Sequence, residues 1–283
     1  RLLQMPTHAQ EREIQRRTRS IGGSLAVGMR PEPGLCPLLP LSVTQSDVRA
    51  AREALSSASQ RIVHELFWFW TSDVDPELKH SLALLAEGDE VGAEAQWRRL
   101  ASEEVPQTSA IARHNLAVLA LTLAVEESMS AIARGLLSQP GRSDGPWSQI
   151  PLLWDAVLED PTVWCILGER VEALGDPAVR ASDLESLREA VPAALATLST
   201  TLALRAAARG LVDDAVQLTQ IARYWDRAIP SAGQASPLAL ATEDVRRGLR
   251  DHCALSLRAA TDAPLEAART ARTLVDQVRP DLN

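Results

Sequence analysis

Residues 61–70 read RIVHELFWFW, and the last four of them are four of the chain's ten aromatic residues. Apolar side chains recur at intervals of three and four between residues 48 and 69, which is the spacing of one helix face. So wide an apolar surface at a helix end cannot face a single partner helix. We therefore predict that Phe67, Trp68, Phe69 and Trp70 are buried where two helical units join. The alternative is that these residues form an exposed partner-binding patch.

The same segment contains a His-Glu pair that could begin a zinc-hydrolase motif. Such a motif needs a second histidine four residues after His64 on the same helix face, with Glu65 as general base. Position 68 holds tryptophan, and His80 lies beyond the Asp75-Pro76 helix break. No metal site and no cofactor are predicted.

Composition predicts an all-α protein. The chain of 283 residues is 46% hydrophobic, which suffices for real cores. Alanine, leucine and arginine dominate, and no run of residues reads as a strand. Cys36, Cys165 and Cys253 are far apart and form no CxxC pair, so neither a disulfide framework nor a zinc site is indicated. We expect a cytoplasmic protein.

Charge divides the chain into two parts. Residues 1–70 hold 9 arginines and 6 acids, a net charge of +3, whereas residues 71–283 hold 20 basic and 31 acidic residues, a net charge of −11. A helix start signal follows at once, since Asp75 is a good N-cap and Pro76 suits the first helical position. We predict one helical domain over 1–70 and a second over 71–283.

No membrane span is predicted, because the longest apolar stretch, residues 116–125 apart from Thr122, is shorter than the roughly 20 residues that a spanning helix needs. The chain begins at Arg1 without an initiator methionine. We therefore expect the true start to lie upstream, which leaves a targeting signal open.

The N-terminal part resembles a J domain, the helical module by which co-chaperones engage Hsp70-type ATPases. LLQMPTHAQEREIQRR is similar to the family's first helix, proline turn and basic second helix, and VRAAREALSSASQR to its third helix and following turn. The family's His-Pro-Asp tripeptide should follow the second helix, but residues 26–41 contain no histidine and no aspartate. The resemblance implies a degenerate J-like module that docks to the ATPase without stimulating it.

The second part resembles tetratricopeptide-type helical repeats, in which small residues let two helices pack closely. LLAEGDEVGAEAQW and LALRAAARGLVDDAVQLTQIA present small residues at matching positions. HNLAVLAL is similar to a first repeat helix, with Asn115 where some members keep a groove asparagine. Met129, however, stands at a position where the repeat pattern expects a small residue. The resemblance implies an irregular helical array, with Asn115 as a candidate partner contact.

A basic cluster on the first predicted helix is the other candidate partner contact: Arg12, Arg16, Arg17 and Arg19. It could meet an acidic protein surface, and nucleic acid is disfavoured because the rest of the chain is acidic and no readout motif occurs. The leading hypothesis is a non-catalytic adaptor that binds another protein. Two alternatives stay open: a scaffold subunit of a larger bacterial assembly, and an enzyme that uses acidic residues of the array.

Overall fold

The computed structural model describes residues 11–29, 44–56, 58–72, 75–134, 147–173 and 181–228. Of these, 85% are helical and none lies in a strand, so the all-α prediction is confirmed. The helices are α1 (Glu11–Ala26), α2 (Gln45–Ser56), α3 (Ala58–Leu66), α4 (Pro76–Glu87), α5 (Glu90–Leu100), α6 (Pro106–Arg134), α7 (Ile150–Glu159), α8 (Pro161–Glu172), α9 (Ala181–Ala208) and α10 (Val212–Ala228).

The chain forms two compact units. Unit 1 comprises Arg1–Leu119 and Leu152–Leu187, and unit 2 comprises Ala120–Pro151 and Arg188–Asn283. This division differs from the predicted boundary between residues 70 and 71, since both of these residues belong to unit 1. The physical reason is that the segment around Trp70 is hydrogen-bonded to the first part of α6 and to α8, which lie in the same unit.

In unit 1, α1 packs on α2, α2 on α3, and α3 on α8. Ile14 and Ile21, two turns apart, form the buried side of α1. The helix ends in a Schellman motif: the Met29 N–H donates to the Ser24 carbonyl at 2.8 Å, and the Gly28 N–H to the Leu25 carbonyl at 3.2 Å. Gly28 takes the left-handed conformation that this motif requires, with φ 70°.

Helices α4 and α5 form a hairpin. The predicted start at Asp75 is confirmed, because its carboxylate accepts hydrogen bonds from the Glu77 and Leu78 N–H groups and Pro76 follows it. Gly88 ends α4 with φ 86°, and its N–H caps the helix. Ala93 is fully buried in α5, as expected of a small residue that lets two helices approach.

In unit 2, the α9–α10 connection also turns on a left-handed glycine, Gly210, with φ 73°. Ala215 and Ala222 of α10 are buried, as is Trp225. The Trp147 indole N–H donates to the Ser128 hydroxyl at 2.9 Å, which fixes the start of the α7 region against α6.

Two helices within the described residues are long and apolar enough to cross a membrane by length and composition: Pro106–Arg134 and Asp183–Ala208. Their most apolar windows are 33% and 56% buried inside the structure, and core helices of soluble proteins pass the same test. The expectation that the chain has no membrane span therefore stays a prediction.

Gly23 offers a test of how α1 is built. It lies inside the helix, exposed, and a Cβ added there meets nothing within 4 Å. Gly23→Ala should raise the free energy of unfolding by about 0.5–1 kcal/mol, because alanine loses less backbone entropy on folding. Gly88→Ala should lower it by about 1–2 kcal/mol, since alanine resists the left-handed conformation. Urea denaturation of both variants measures this, and equal effects would contradict it.

Candidate functional site

Among the described residues, a cluster of buried hydrogen bonds and an ion pair surrounds the end of α3. The helix stops at Leu66, and residues 67–72 are irregular. Yet Trp68 and Phe69 are buried, and Trp70 is 0% exposed. Buried irregular backbone must find hydrogen-bond partners outside its own segment, because no helix or sheet ladder supplies them.

Asn115 of α6 supplies the partners for Trp70. Its side-chain Oδ1 accepts a hydrogen bond from the Trp70 backbone N–H at 2.7 Å, and its Nδ2 donates to the Trp70 carbonyl at 2.9 Å. One carboxamide thus satisfies both backbone groups of a residue 45 positions away. Asn115 is 0% exposed, so the prediction that it contacts a partner protein is wrong in this structure.

Two ring N–H groups cap the C-terminus of α3. The Trp70 indole N–H donates to the Glu65 carbonyl at 2.8 Å, and His114 Nε2 lies 2.7 Å from the Leu66 carbonyl. The last carbonyls of a helix lack partners within the helix, and here these side chains replace them. The two rings stack, with centroids 3.6 Å apart and an interplanar angle of 17°.

The hydrogen bond fixes the protonation of His114. A carbonyl only accepts, so Nε2 carries a proton. Nδ1 is buried without a hydrogen-bond partner. Burial lowers the pKa of His114 to about 3. The ring is therefore neutral at physiological pH.

A buried ion pair holds the same segment from the other side. Arg170 Nε of α8 donates to Glu65 Oε1, and its Nη1 donates to the Thr71 carbonyl at 3.4 Å. The Arg170 guanidinium carbon lies 5.6 Å from the centroid of the Trp70 ring, within cation–π range. Glu65 is 1% exposed. Its carboxylate therefore ties α3 to α8 and does not face solvent as a catalytic base would.

Ring contacts complete the packing of the aromatic residues within unit 1. Phe69 stacks on Trp97 of α5, with centroids 5.5 Å apart, and the half-buried Phe67 lies against Trp154 of α7 at 4.9 Å. The predicted role of these residues between two domains is thus a role between helices of one unit. The alternative, an exposed partner-binding patch at these residues, is not supported, because Trp68, Phe69 and Trp70 are buried.

A second charged contact links α6 to α8. Arg113 Nη2 donates to Asp160 Oδ2 at 2.6 Å. The other oxygen of Asp160 accepts from the Thr162 N–H at 2.8 Å and caps α8. Three consecutive residues of α6, from Arg113 to Asn115, therefore bind three different parts of unit 1.

The predicted basic cluster lies on α1, and none of its arginines takes part in the contacts described above. Arg12, Arg16 and Arg19 are exposed on α1, opposite the buried isoleucines, while Arg17 is half-buried. Among the described residues, no group of three or more His, Cys, Asp or Glu side chains is arranged to hold a metal ion. No protein-family model, no curated protein and no solved structure matches this chain.

The ion pair can be tested with a double-mutant cycle. Arg170→Met should lower the free energy of unfolding by about 3–5 kcal/mol, because it leaves the Glu65 carboxylate buried without a counter-charge. Glu65→Gln together with Arg170→Met should recover more than half of that loss. The exposed pair Glu94 and Arg98 is the control, with an expected coupling energy of about 0.3–0.5 kcal/mol. Equal coupling energies in the two cycles would contradict a buried pair.

His114 predicts a pH dependence of stability. Its pKa is about 3 in the folded chain and 6.5 in the unfolded chain. Between pH 3 and pH 6.5 the unfolded state therefore binds a proton at this residue that the folded state does not. The free energy of unfolding should therefore fall by about 2 kcal/mol between pH 7 and pH 5 through this group alone. Urea denaturation at pH 7, 6 and 5 should show a shallower slope for His114→Gln. His80→Gln, at an exposed position of α4, should keep the wild-type slope, and parallel slopes for all three proteins would refute the assignment.

Proposed function

We propose that this protein is a non-catalytic adaptor that binds another protein through the exposed arginines of α1. The observation that carries the proposal is the arrangement of α1, in which Arg12, Arg16 and Arg19 share the face opposite the buried isoleucines. Cationic side chains on one face attract an acidic surface and guide its approach.

The polar side chains at the end of α3 support the same proposal, because they make contacts inside unit 1. Glu65 binds Arg170, Asn115 binds Trp70, and the N–H of His114 binds a backbone carbonyl. Each of these side chains serves the packing of unit 1, and the His114 ring is neutral. An acid–base role would need a group that reaches a substrate and titrates near neutral pH.

A protein partner fits the basic face better than nucleic acid does. The whole chain has a net charge of −8, which opposes the phosphate backbone outside the small arginine face. The partner implied by the J-domain resemblance is an Hsp70-type ATPase. Because residues 26–41 lack the His-Pro-Asp tripeptide, docking without stimulation of ATP hydrolysis is the expected behaviour.

Binding to a purified Hsp70-type ATPase from the same organism tests the proposal. We expect a complex at tens of micromolar that weakens with salt, since exposed charges are screened. Arg12→Glu, Arg16→Glu and Arg19→Glu combined should abolish it. A variant of equal charge change, with Glu at the exposed positions 49, 209 and 227, should still bind. The rate of ATP hydrolysis should not change.

Three results would each contradict part of this proposal. Absence of binding would remove the ATPase as partner, and equal loss of binding in both triple variants would remove α1 as the docking face. A rise in ATP hydrolysis would contradict the non-stimulating role.

A further inference from the structure

The exposed face of α1 is more than a basic cluster. We define the α1 strip by residues that follow each other at intervals of four, three, four and three and are all exposed: Arg12, Arg16, Arg19, Gly23 and Ala26. This spacing keeps them on one side of the helix. The strip is therefore cationic over its first two turns and flat over the next turn, where glycine and alanine add almost no side chain.

An apolar pair continues the strip past the helix end. Val27 is 70% exposed and Met29 is 64% exposed, two of the most exposed large apolar side chains of the described residues. Their backbone is held by the Schellman motif, in which the Met29 and Gly28 N–H groups bind carbonyls of the last turn. A fixed backbone reduces the entropy that is lost when a partner covers these side chains.

We propose that the α1 strip binds an acidic helical segment of a partner protein, whose carboxylates pair with the arginines and whose apolar side chain contacts Val27 and Met29. This inference rests on the proposed function and specifies the chemistry of the partner. At 1.5 Å per residue, Arg12 and Arg19 lie about 10 Å apart along the axis, and Val27 lies about 12 Å beyond Arg19. The partner segment thus carries carboxylates over two turns and a large apolar residue about two turns away.

The flat part of the strip favours a helix as the occupant. Above Gly23, a Cβ would meet nothing within 4 Å, so a partner backbone can approach there without displacing a side chain. Charge complementarity requires acids over the arginines, and the exposed apolar pair requires a hydrophobic contact at one end only.

A membrane surface fits the strip less well. A helix that lies on a bilayer needs exposed apolar residues along its length. Of the large apolar residues of α1, Ile14 and Ile21 are buried and Leu25 is half-buried. Only the Val27 end of the strip offers apolar side chains to solvent.

The probes are two fluorescent helical peptides of about 20 residues. Each has glutamates at intervals of four and three, and a leucine about eight residues from the nearest glutamate, after the acids in one peptide and before them in the other. Matched peptides carry serine in place of leucine. We expect the full-length chain to bind one leucine peptide at least about tenfold more tightly than its serine counterpart, which is the effect of burying one apolar side chain.

Chain variants assign the two contacts. Val27→Ser with Met29→Ser should weaken binding of the leucine peptide about tenfold and leave the serine peptide unchanged. Leu152→Ser, at an apolar residue that is 72% exposed on α7, is the control and should change neither. The Arg12, Arg16 and Arg19 charge reversal should abolish binding of both peptides. Circular dichroism checks that every variant keeps its helical content.

The outcomes separate this inference from the proposed function. If the leucine and serine peptides bind equally, or neither binds while the ATPase still binds through the arginines, this inference is wrong and the adaptor proposal stands. If the arginine reversal leaves all binding intact, the docking face itself is wrong. Tighter, Val27-dependent binding to phosphatidylserine vesicles than to either peptide would overturn the assignment to a protein partner.

Discussion

Unit 1 depends on one constraint, which is that the irregular backbone after α3 is buried and must still be hydrogen-bonded. Peptide groups without partners in an apolar interior would cost several kcal/mol of stability. Asn115 meets this demand at Trp70, and the rings of Trp70 and His114 meet it at the last carbonyls of α3. The aromatic side chains can therefore leave the helix axis and reach Trp97 and Trp154 on two further helices.

The same constraint separates structure from function in this chain. Glu65, the candidate general base, and Asn115, the candidate partner contact, are buried in unit 1. His114 is neutral there. Arg12, Arg16 and Arg19 of α1 are exposed and take no part in these buried contacts. The proposed docking face and the buried contacts thus lie in different parts of unit 1, so a change of sign on the α1 strip should have little effect on folding.

Local signals in the sequence predicted local structure well. The helical spacing up to Leu66, the Asp75-Pro76 start and the small residue Ala93 agree with the structure, because each acts within one or two turns. The same spacing placed Phe69 on the helix, but the helix ends at Leu66 and Phe69 lies in the irregular segment after it. The contacts of Asn115, His114 and Arg170 could not be predicted, since they join residues 45, 48 and 105 positions apart. For the same reason the division near residue 70, predicted from charge and from the Asp75-Pro76 helix start, differs from that of the structure. Glu65 beside apolar residues was the one available hint of a buried counter-charge.

The distance between Glu65 and Arg170 along the chain has a consequence for synthesis. As the chain leaves the ribosome from its N-terminus, α3 is complete before α6 and α8 emerge. The Leu66 carbonyl and the Glu65 carboxylate therefore lack their partners, His114 and Arg170, until those residues are translated. During this interval the four aromatic residues lack their cover and are open to premature contacts with other nascent chains. The described part of the first 70 residues therefore completes its hydrogen bonds at the end of α3 only with His114, Asn115 and Arg170, which are translated later.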